Sequence, residues 1–176
     1  MSSHIFVDET KLRDYLMVAA VVLPVDLQPV RQLVRSLVLP GQRRVHMKKE
    51  SEPRKRLIAD TIAGSSVKAV IFNAGRDYES ELDARRACLQ AVITYADESG
   101  ATRVVFEQDD SLLRWDGQRL VEITRAAGCR DTLRYEHHRA GSEELLALPD
   151  AIAWCWARGG HWRRRIAPAL IGRYVV

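Results

Sequence analysis

Acidic residues follow two apolar, strand-like stretches of this 176-residue sequence. Asp8 ends the run Ile5-Phe6-Val7, and Glu107 and Asp109 end the run beginning at Arg103. A third acid, Asp150, follows Pro149 where a late helix is predicted to begin. Carboxylates bind hard divalent cations such as Mg²⁺ and Mn²⁺. Two such ions roughly 4 Å apart activate a water and stabilise the leaving oxygen of a phosphodiester.

A structural role for each acid is the alternative. Strands end at the protein surface, where carboxylates solvate loops or cap helices. At a helix N-terminus, Asp150 is also favourable by the helix dipole alone, by about 0.3–1 kcal/mol. From spacing alone, both interpretations stay open.

The predicted elements describe one α/β domain over residues 1–176 with a mixed sheet of five strands. The first strand, His4–Thr10, places Ile5 and Val7 on one side and Asp8 on the other. An isolated carboxylate on a buried face is costly unless it is compensated. The remaining strands are predicted at 15–23, as the second half of an antiparallel hairpin, and at 67–73, 103–110 and 132–137.

Apolar periodicity predicts helices at 27–39, 54–63, 80–98, 117–127 and from Pro149 to 158. We expect the second to bury Leu57, Ile58 and Ile62. The third is expected to bury a longer stripe: Leu82, Ala87, Leu89, Val92, Ile93 and Ala96. On the fourth strand, we expect Glu107 and Asp109 to share a face.

Composition and charge restrict the binding partners and the cellular compartment that we expect. The net charge is +4 and the pI about 9.1, which makes a polyanionic partner possible without requiring one. Three scattered cysteines predict free thiols in a reducing compartment. The sequence has no apolar stretch near the ~18 residues of a membrane span and no signal-peptide pattern, so we expect a cytoplasmic protein without membrane contact.

Several basic and aromatic residues could contact a substrate. His46 could transfer a proton or bind a metal, and Lys48 or Lys49 could contact phosphate, but a solvated charged loop is the alternative. The run Arg163-Arg164-Arg165 is a candidate phosphate-contact patch. His137 and His138 end a strand and could join a site, but a surface pair is favoured. Trp154, Trp156 and Trp162 could stack on bases, with core packing favoured for the first two.

Four short motifs together resemble one family. They are Phe6-Val7-Asp8-Glu9-Thr10, the strand Tyr15–Val22, His46-Met47-Lys48-Lys49, and Leu148-Pro149-Asp150-Ala151-Ile152-Ala153. In their order they are similar to the bacterial family called domain of unknown function 3800, which is similar in fold to ribonuclease H. Two departures are Thr10-Lys11 where the family has Ser-Gly, and Leu-Pro before Asp150 where it has Leu-Ala.

The resemblance implies a ribonuclease H-like sheet in which Asp8, Glu107 and Asp150 converge on one or two Mg²⁺ or Mn²⁺ ions, with Asp109 as the substitute ligand. His46 and Lys49 would assist catalysis. The basic residues Lys48, Arg163, Arg164 and Arg165 would bind nucleic acid. The implied function is a metal-dependent nuclease. The alternatives are a catalytically inactive nucleic-acid-binding or protein-interaction module, and an enzyme that needs a protein partner.

Overall fold

A six-stranded mixed sheet forms the centre of the molecule in the computed structural model, which describes residues 2–176. Its strands are β1 (His4–Thr10), β2 (Tyr15–Val22), β3 (Lys68–Gly75), β4 (Arg103–Glu107), β5 (Arg134–His138) and β6 (Leu170–Val175). The spatial order is β5-β4-β1-β2-β3-β6. Strand β1 is thus central, with β4 and β2 as its neighbours.

Six α-helices accompany the sheet: α1 (Leu27–Ser36), α2 (Glu52–Ala63), α3 (Glu81–Glu98), α4 (Leu113–Ala127), α5 (Ala147–Arg158) and α6 (Gly160–Ile166). Short 3₁₀ turns occur at Pro24–Asp26, Met47–Lys49, Glu144–Leu146 and Ala167–Ala169. In residues 2–176 no helix is long and apolar enough to cross a membrane.

The pairing of β1 with β4 fixes where the acids meet. The two strands are parallel, with Val7 opposite Phe106. The next residues, Asp8 and Glu107, therefore lie side by side at the same end of the sheet. On its other edge β1 pairs antiparallel with β2, where Asp8 lies opposite Val18.

Side-chain alternation along β1 separates two cores. Phe6 packs into a cluster with apolar residues of α1, α2, α5 and α6. Ile5 and Val7 pack on the other side, with α3 and α4. Because alternate side chains share a face, Asp8 points to the α5 side and Glu9 to the α3 side.

The sheet has six strands, not the predicted five. The additional strand, β6, pairs parallel with β3 at the edge of the sheet. Its residues are mostly exposed, so it lacks the clean apolar alternation that marks a half-buried strand. The hairpin is confirmed, and β4 ends at Glu107 rather than at Asp110.

Two predicted core residues are exposed. Leu57 is 52% exposed because the buried stripe of α2 is Lys55, Ile58, Ala59 and Ile62, which leaves Leu57 to the side. Leu82 is 39% exposed because it lies in the first turn of α3, before that helix's first buried residue. The three cysteines are free thiols, as predicted, and all are buried.

Candidate active site

Asp8 and Glu107 lie side by side at the ends of adjacent parallel strands. Both side chains are half-buried. Burial raises the pKa of Asp8 well above its ordinary value, and the charge and hydrogen bond of Glu107 and the charge of Asp150 raise it further. The backbone N–H of Glu9 opposes this rise by donating to Asp8 Oδ1 at 2.7 Å. The two carboxyl groups thus share a small space.

Asp150 reaches the same region from the first turn of α5. Its Oδ2 accepts a hydrogen bond from the backbone N–H of Met47 at 2.9 Å, which fixes the side chain. Burial raises the pKa of Asp150, and the charge of Glu107 adds to the rise. The Met47 N–H and the charges of His46 and Arg44 act in the opposite direction. The fold therefore assembles three carboxyl groups from positions 8, 107 and 150.

These three carboxyl groups have no basic partner within the described part of the chain. Among residues 2–176, no lysine or arginine forms an ion pair with Asp8, Glu107 or Asp150. Like charges this close oppose one another's ionisation, which agrees with the raised pKa values of Asp8 and Asp150. Asp8 and Glu107 also line an open cleft of about 670 Å³, which extends past the strand ends to Glu9 and Arg85 and does not include Asp150 in its lining.

The donor set has the chemistry of a site for hard divalent ions, since it offers only carboxylate oxygens and leaves their charge uncompensated. As they stand, residues 2–176 contain no group of three or more His, Cys, Asp or Glu side chains placed to hold a metal ion. The type and charge of the three acids match Mg²⁺ or Mn²⁺, with Asp8 and Glu107 at adjacent strand ends and Asp150 within electrostatic range.

Asp109 lies beyond the end of β4 and not on the same strand face as Glu107, contrary to the sequence prediction. Its Oδ1 accepts hydrogen bonds from the backbone N–H and the hydroxyl of Ser111, at 2.9 and 2.6 Å. The hydrogen bonds of Ser111 lower the pKa of Asp109. Asp109 borders the cleft beside Glu107, but its carboxylate is engaged in stabilising the loop.

The segment with His46, Lys48 and Lys49 packs against the start of α5 through the Met47–Asp150 hydrogen bond. The Nδ1 atom of His46 is buried and has no hydrogen-bond partner within residues 2–176. The charge of His46 acts on Asp150, so its ring lies near the acids. Lys48 and Lys49 are exposed, and no contact joins either to the three carboxyl groups.

Sequence reasoning missed Glu50, which holds this segment in place. Its side chain is almost fully buried and accepts hydrogen bonds from Gln42 Nε2 at 2.6 Å and Arg54 Nε at 2.8 Å. It also accepts a longer one from the backbone N–H of His46, at 3.4 Å. The sequence gives little indication of this role, because Glu50 ends a charged stretch that shows neither helical nor strand periodicity.

The arginine run 163–165 lies on α6, which follows the far end of α5 from Asp150. Arg163 donates to the carbonyl of Trp156 at 2.9 Å and lies 4.1 Å above its ring. Arg165 pairs with Asp60 at 2.7 Å. Arg164 is exposed. The fold therefore does not bring this run to the acids, and two of its three arginines already make intramolecular contacts.

The largest omission from the sequence prediction is Arg85, which is 3% exposed on the opposite face of the sheet. It binds both oxygens of Asp116 at 2.7 Å and also contacts Glu9 and the hydroxyl of Tyr15. His137 Nε2 lies 3.4 Å from Asp116, so His137 is buried here and is not part of a surface pair. A charged residue in the apolar stripe of α3 was the available signal, because Cys88 and Leu89 follow Arg85 at helical spacing.

Comparison with known proteins shows a similarity in fold. Neither protein-family models nor curated proteins match the sequence. The RNase HII of Archaeoglobus fulgidus, solved in complex with PCNA, is similar with a TM-score of 0.57 and 16% identity, over 88% of this chain and 70% of that one. The chain has a ribonuclease H-like fold. At this identity the likeness concerns the fold alone.

Proposed function

We propose that this protein is a divalent-metal-dependent nuclease whose ion-binding residues are Asp8, Glu107 and Asp150. The observation that carries the proposal is the convergence of three uncompensated carboxyl groups on one end of the sheet. An all-acidic group of this kind is costly to assemble without a counter-ion. The ribonuclease H-like fold supports the proposal, because the similar solved structure is that of a nuclease.

Each proposed ligand is held by the backbone around it. The N–H of Glu9 orients Asp8, and the N–H of Met47 orients Asp150. Glu107 is the last residue of β4, and strand pairing with β1 sets its position. When bound, Mg²⁺ or Mn²⁺ would supply activation of the attacking water and stabilisation of the leaving oxygen.

The remaining site residues have supporting roles in this proposal. His46 offers a buried, unpaired ring nitrogen near the acids and is proposed to move a proton. Asp109, at the cleft border, is the substitute ligand. Lys49 and Lys48 are proposed to contact phosphate from the exposed side of the same loop, and Arg163, Arg164 and Arg165 to contact more distant phosphates.

Two broader assignments accompany the proposal. We propose that the chain belongs to the domain of unknown function 3800 family, on the motifs given above. We also propose nucleic acid as its principal partner, with a protein partner as a further possibility, since the similar RNase HII was solved bound to PCNA.

The test combines metal binding with cleavage. Differential scanning calorimetry with Mn²⁺ or Mg²⁺ should show stabilisation of the wild type, about 2.7 kcal/mol at a hundred times the dissociation constant. Asp8→Asn and Asp150→Asn should lose this response and any cleavage of labelled DNA or RNA. Asp110→Asn is the matched control, because Asp110 is exposed in the same cleft and, within residues 2–176, bonds only to Gln108 and Arg139. Equal metal responses in all four proteins would refute the proposal.

A catalytically inactive nucleic-acid-binding or protein-interaction module is the second candidate. The observation in its favour is that residues 2–176 present no complete metal-binding group. Such a module would bind oligonucleotides or a protein partner and show no stabilisation by Mn²⁺. A partner-dependent nuclease would bind Mn²⁺ and cleave only after its partner is added.

A further inference from the structure

A second cleft opens between the C-terminal end of α1 and the start of α5. Its volume is about 440 Å³, within the range of about 300–1,000 Å³ found for small-ligand sites. Apolar side chains from both helices and the intervening loop form its floor: Val34, Val38, Val45 and Ala147. Arg35, Arg43 and Arg44 stand around it, with Glu144 as the one acid of the lining. It therefore combines an apolar surface with a cationic border.

The three arginines differ in their partners. Arg35 donates two hydrogen bonds to Glu144, both at 2.8 Å, so its charge is compensated. Nearby, Arg31 is likewise paired with Glu143 at 2.6 Å. Arg43 and Arg44 form no ion pair or side-chain hydrogen bond within residues 2–176. The border of the cleft thus carries two guanidinium groups that are free to bind an anion.

The position of Arg44 relates this cleft to the acids. Arg44 lies in the same short loop as Met47, whose backbone N–H donates to Asp150 Oδ2 at 2.9 Å, so this loop joins the border of the cleft to the candidate active site. Guanidinium groups bind phosphate with directed, charge-assisted hydrogen bonds. An anion held by Arg44 would therefore lie close to the carboxyl cluster and not on a remote surface.

We propose that this cleft holds one unpaired nucleotide of a nucleic-acid strand, adjacent to the phosphate that is cleaved. The phosphate of that nucleotide contacts Arg43 and Arg44, and its sugar and base lie on the apolar floor. Base pairing is incompatible with a cleft that receives a single base, so the favoured substrate is single-stranded. This inference rests on the proposed function, since it assigns a substrate class to the same site.

Oligonucleotide binding without metal tests this assignment separately from catalysis. The probes are a fluorescein-labelled mixed-sequence DNA strand and its RNA equivalent, followed by fluorescence anisotropy in EDTA over a range of KCl concentrations. Arg43→Ala/Arg44→Ala should weaken binding of at least one probe about tenfold or more. The logarithm of the association constant decreases linearly with the logarithm of the salt concentration. For the double variant, this decrease should be less steep by about 0.7 for each phosphate group that it no longer binds.

The control removes the same charge elsewhere. Arg125 and Arg130 are exposed near the junction of α4 and β5, at the other end of the sheet from the acids. Arg125→Ala/Arg130→Ala should bind both probes like the wild type. An equal loss in the two double variants would show that only net charge matters and would overturn the proposal.

A charge-neutral variant tests the apolar part of the cleft. Ala140 borders the cleft and is half-buried, so Ala140→Leu narrows the space without changing charge. We expect this variant to weaken single-strand binding and to leave binding of a hairpin duplex unchanged. Unchanged single-strand binding would contradict a nucleotide on this floor.

Failure of the inference is distinguishable from failure of the proposed function. If the wild type responds to Mn²⁺ through Asp150 but Arg43→Ala/Arg44→Ala binds normally, the nuclease stands and the cleft assignment falls. If the double variant loses binding and no protein responds to Mn²⁺, the cleft binds nucleic acid on a catalytically inactive module.

Discussion

Asp8 and Glu9 are consecutive residues of β1, yet they enter two opposite electrostatic environments. Glu9 faces α3, where Arg85 and Tyr15 bind its carboxylate and Arg85 also binds Asp116. Asp8 faces α5, where the charged side chains that act on it are two further acids, Glu107 and Asp150. One side of the strand thus carries a compensated ion network, and the other carries a cluster of like charges.

The pKa values express the same difference. Burial by itself raises the pKa of Asp116, but the hydrogen bonds and the charge of Arg85 hold it below its ordinary value. Burial also raises the pKa of Asp8, and there the neighbours add to the rise. The Arg85 network therefore stabilises the folded chain as it stands, whereas the Asp8 cluster opposes folding as long as no cation compensates its charge.

The largest expected effect concerns Arg85. Arg85→Met should lower the free energy of unfolding by about 3–5 kcal/mol, because Asp116 is 0% exposed and would be left as an unpaired buried charge. Urea denaturation measures this change. Arg86→Met is the matched control, since Arg86 is exposed and lies 4.0 Å from Glu122. It should stay within about 0.5 kcal/mol of the wild type, and a comparable loss in both would mean that the network contributes nothing specific.

Removing a charge from the acidic cluster should instead raise the free energy of unfolding. Asp8→Asn in EDTA should raise the free energy of unfolding by about 0.5–2 kcal/mol, because it relieves repulsion while its amide oxygen still accepts from the Glu9 N–H. Glu9→Gln should lower it by about 1–3 kcal/mol, because it weakens the charged partner of Arg85. Destabilisation by Asp8→Asn in EDTA would show that the two faces do not differ in this way.

The stability gain from Asp8→Asn should depend on pH. A carboxyl whose folded pKa is raised binds more protons when folded, so the wild type loses stability as pH rises from the unfolded value of about 3.9 through the folded pKa of Asp8. The gain should therefore be greatest above that folded pKa and disappear as pH falls to about 4. Urea denaturation of both proteins in EDTA across this range measures it, and a gain independent of pH would assign the effect to packing.

The smallest expected effect distinguishes Glu107 from Asp109. Asp109→Ala should cost about 0.5–1 kcal/mol because it removes the hydrogen bonds to Ser111. We expect it to keep the Mn²⁺ response, whereas Glu107→Gln should abolish that response. Thermal unfolding with and without Mn²⁺ measures both quantities. Loss of the response in Asp109→Ala alone would make Asp109 the ligand.

Much of the fold could be predicted because its strands are strongly patterned. The apolar runs ending at Asp8 and Glu107 indicate strands, and the resemblance to a ribonuclease H-like sheet implies that the two acids lie at one end of it. The edge strand β6 could not be recognised, because its residues are largely exposed and pack on few neighbours. Leu57 illustrates a similar limit, since an apolar residue beside a buried stripe does not show which side faces the core.

The contacts that organise the candidate site were beyond sequence patterns. The Met47 N–H reaches Asp150 across 103 positions, and a backbone donor has no residue signature. Arg85 could have been found as a charge within an apolar helical stripe, but its partners come from β1, β2 and α4. Such pairings depend on which faces of the strands and helices pack together. The periodicity of a single segment does not specify this.

The adjacency of Asp8 and Glu9 restricts how the length of β1 can vary. Side chains alternate with a period of two, so inserting or deleting one residue between Ile5 and Asp8 would exchange the faces of all that follow in the strand. Insertion would bring Asp8 to the place where Glu9 contacts Arg85, and deletion would bring Glu9 to the place where Asp8 lies beside Glu107. Either single-codon length change in this strand thus disrupts both faces.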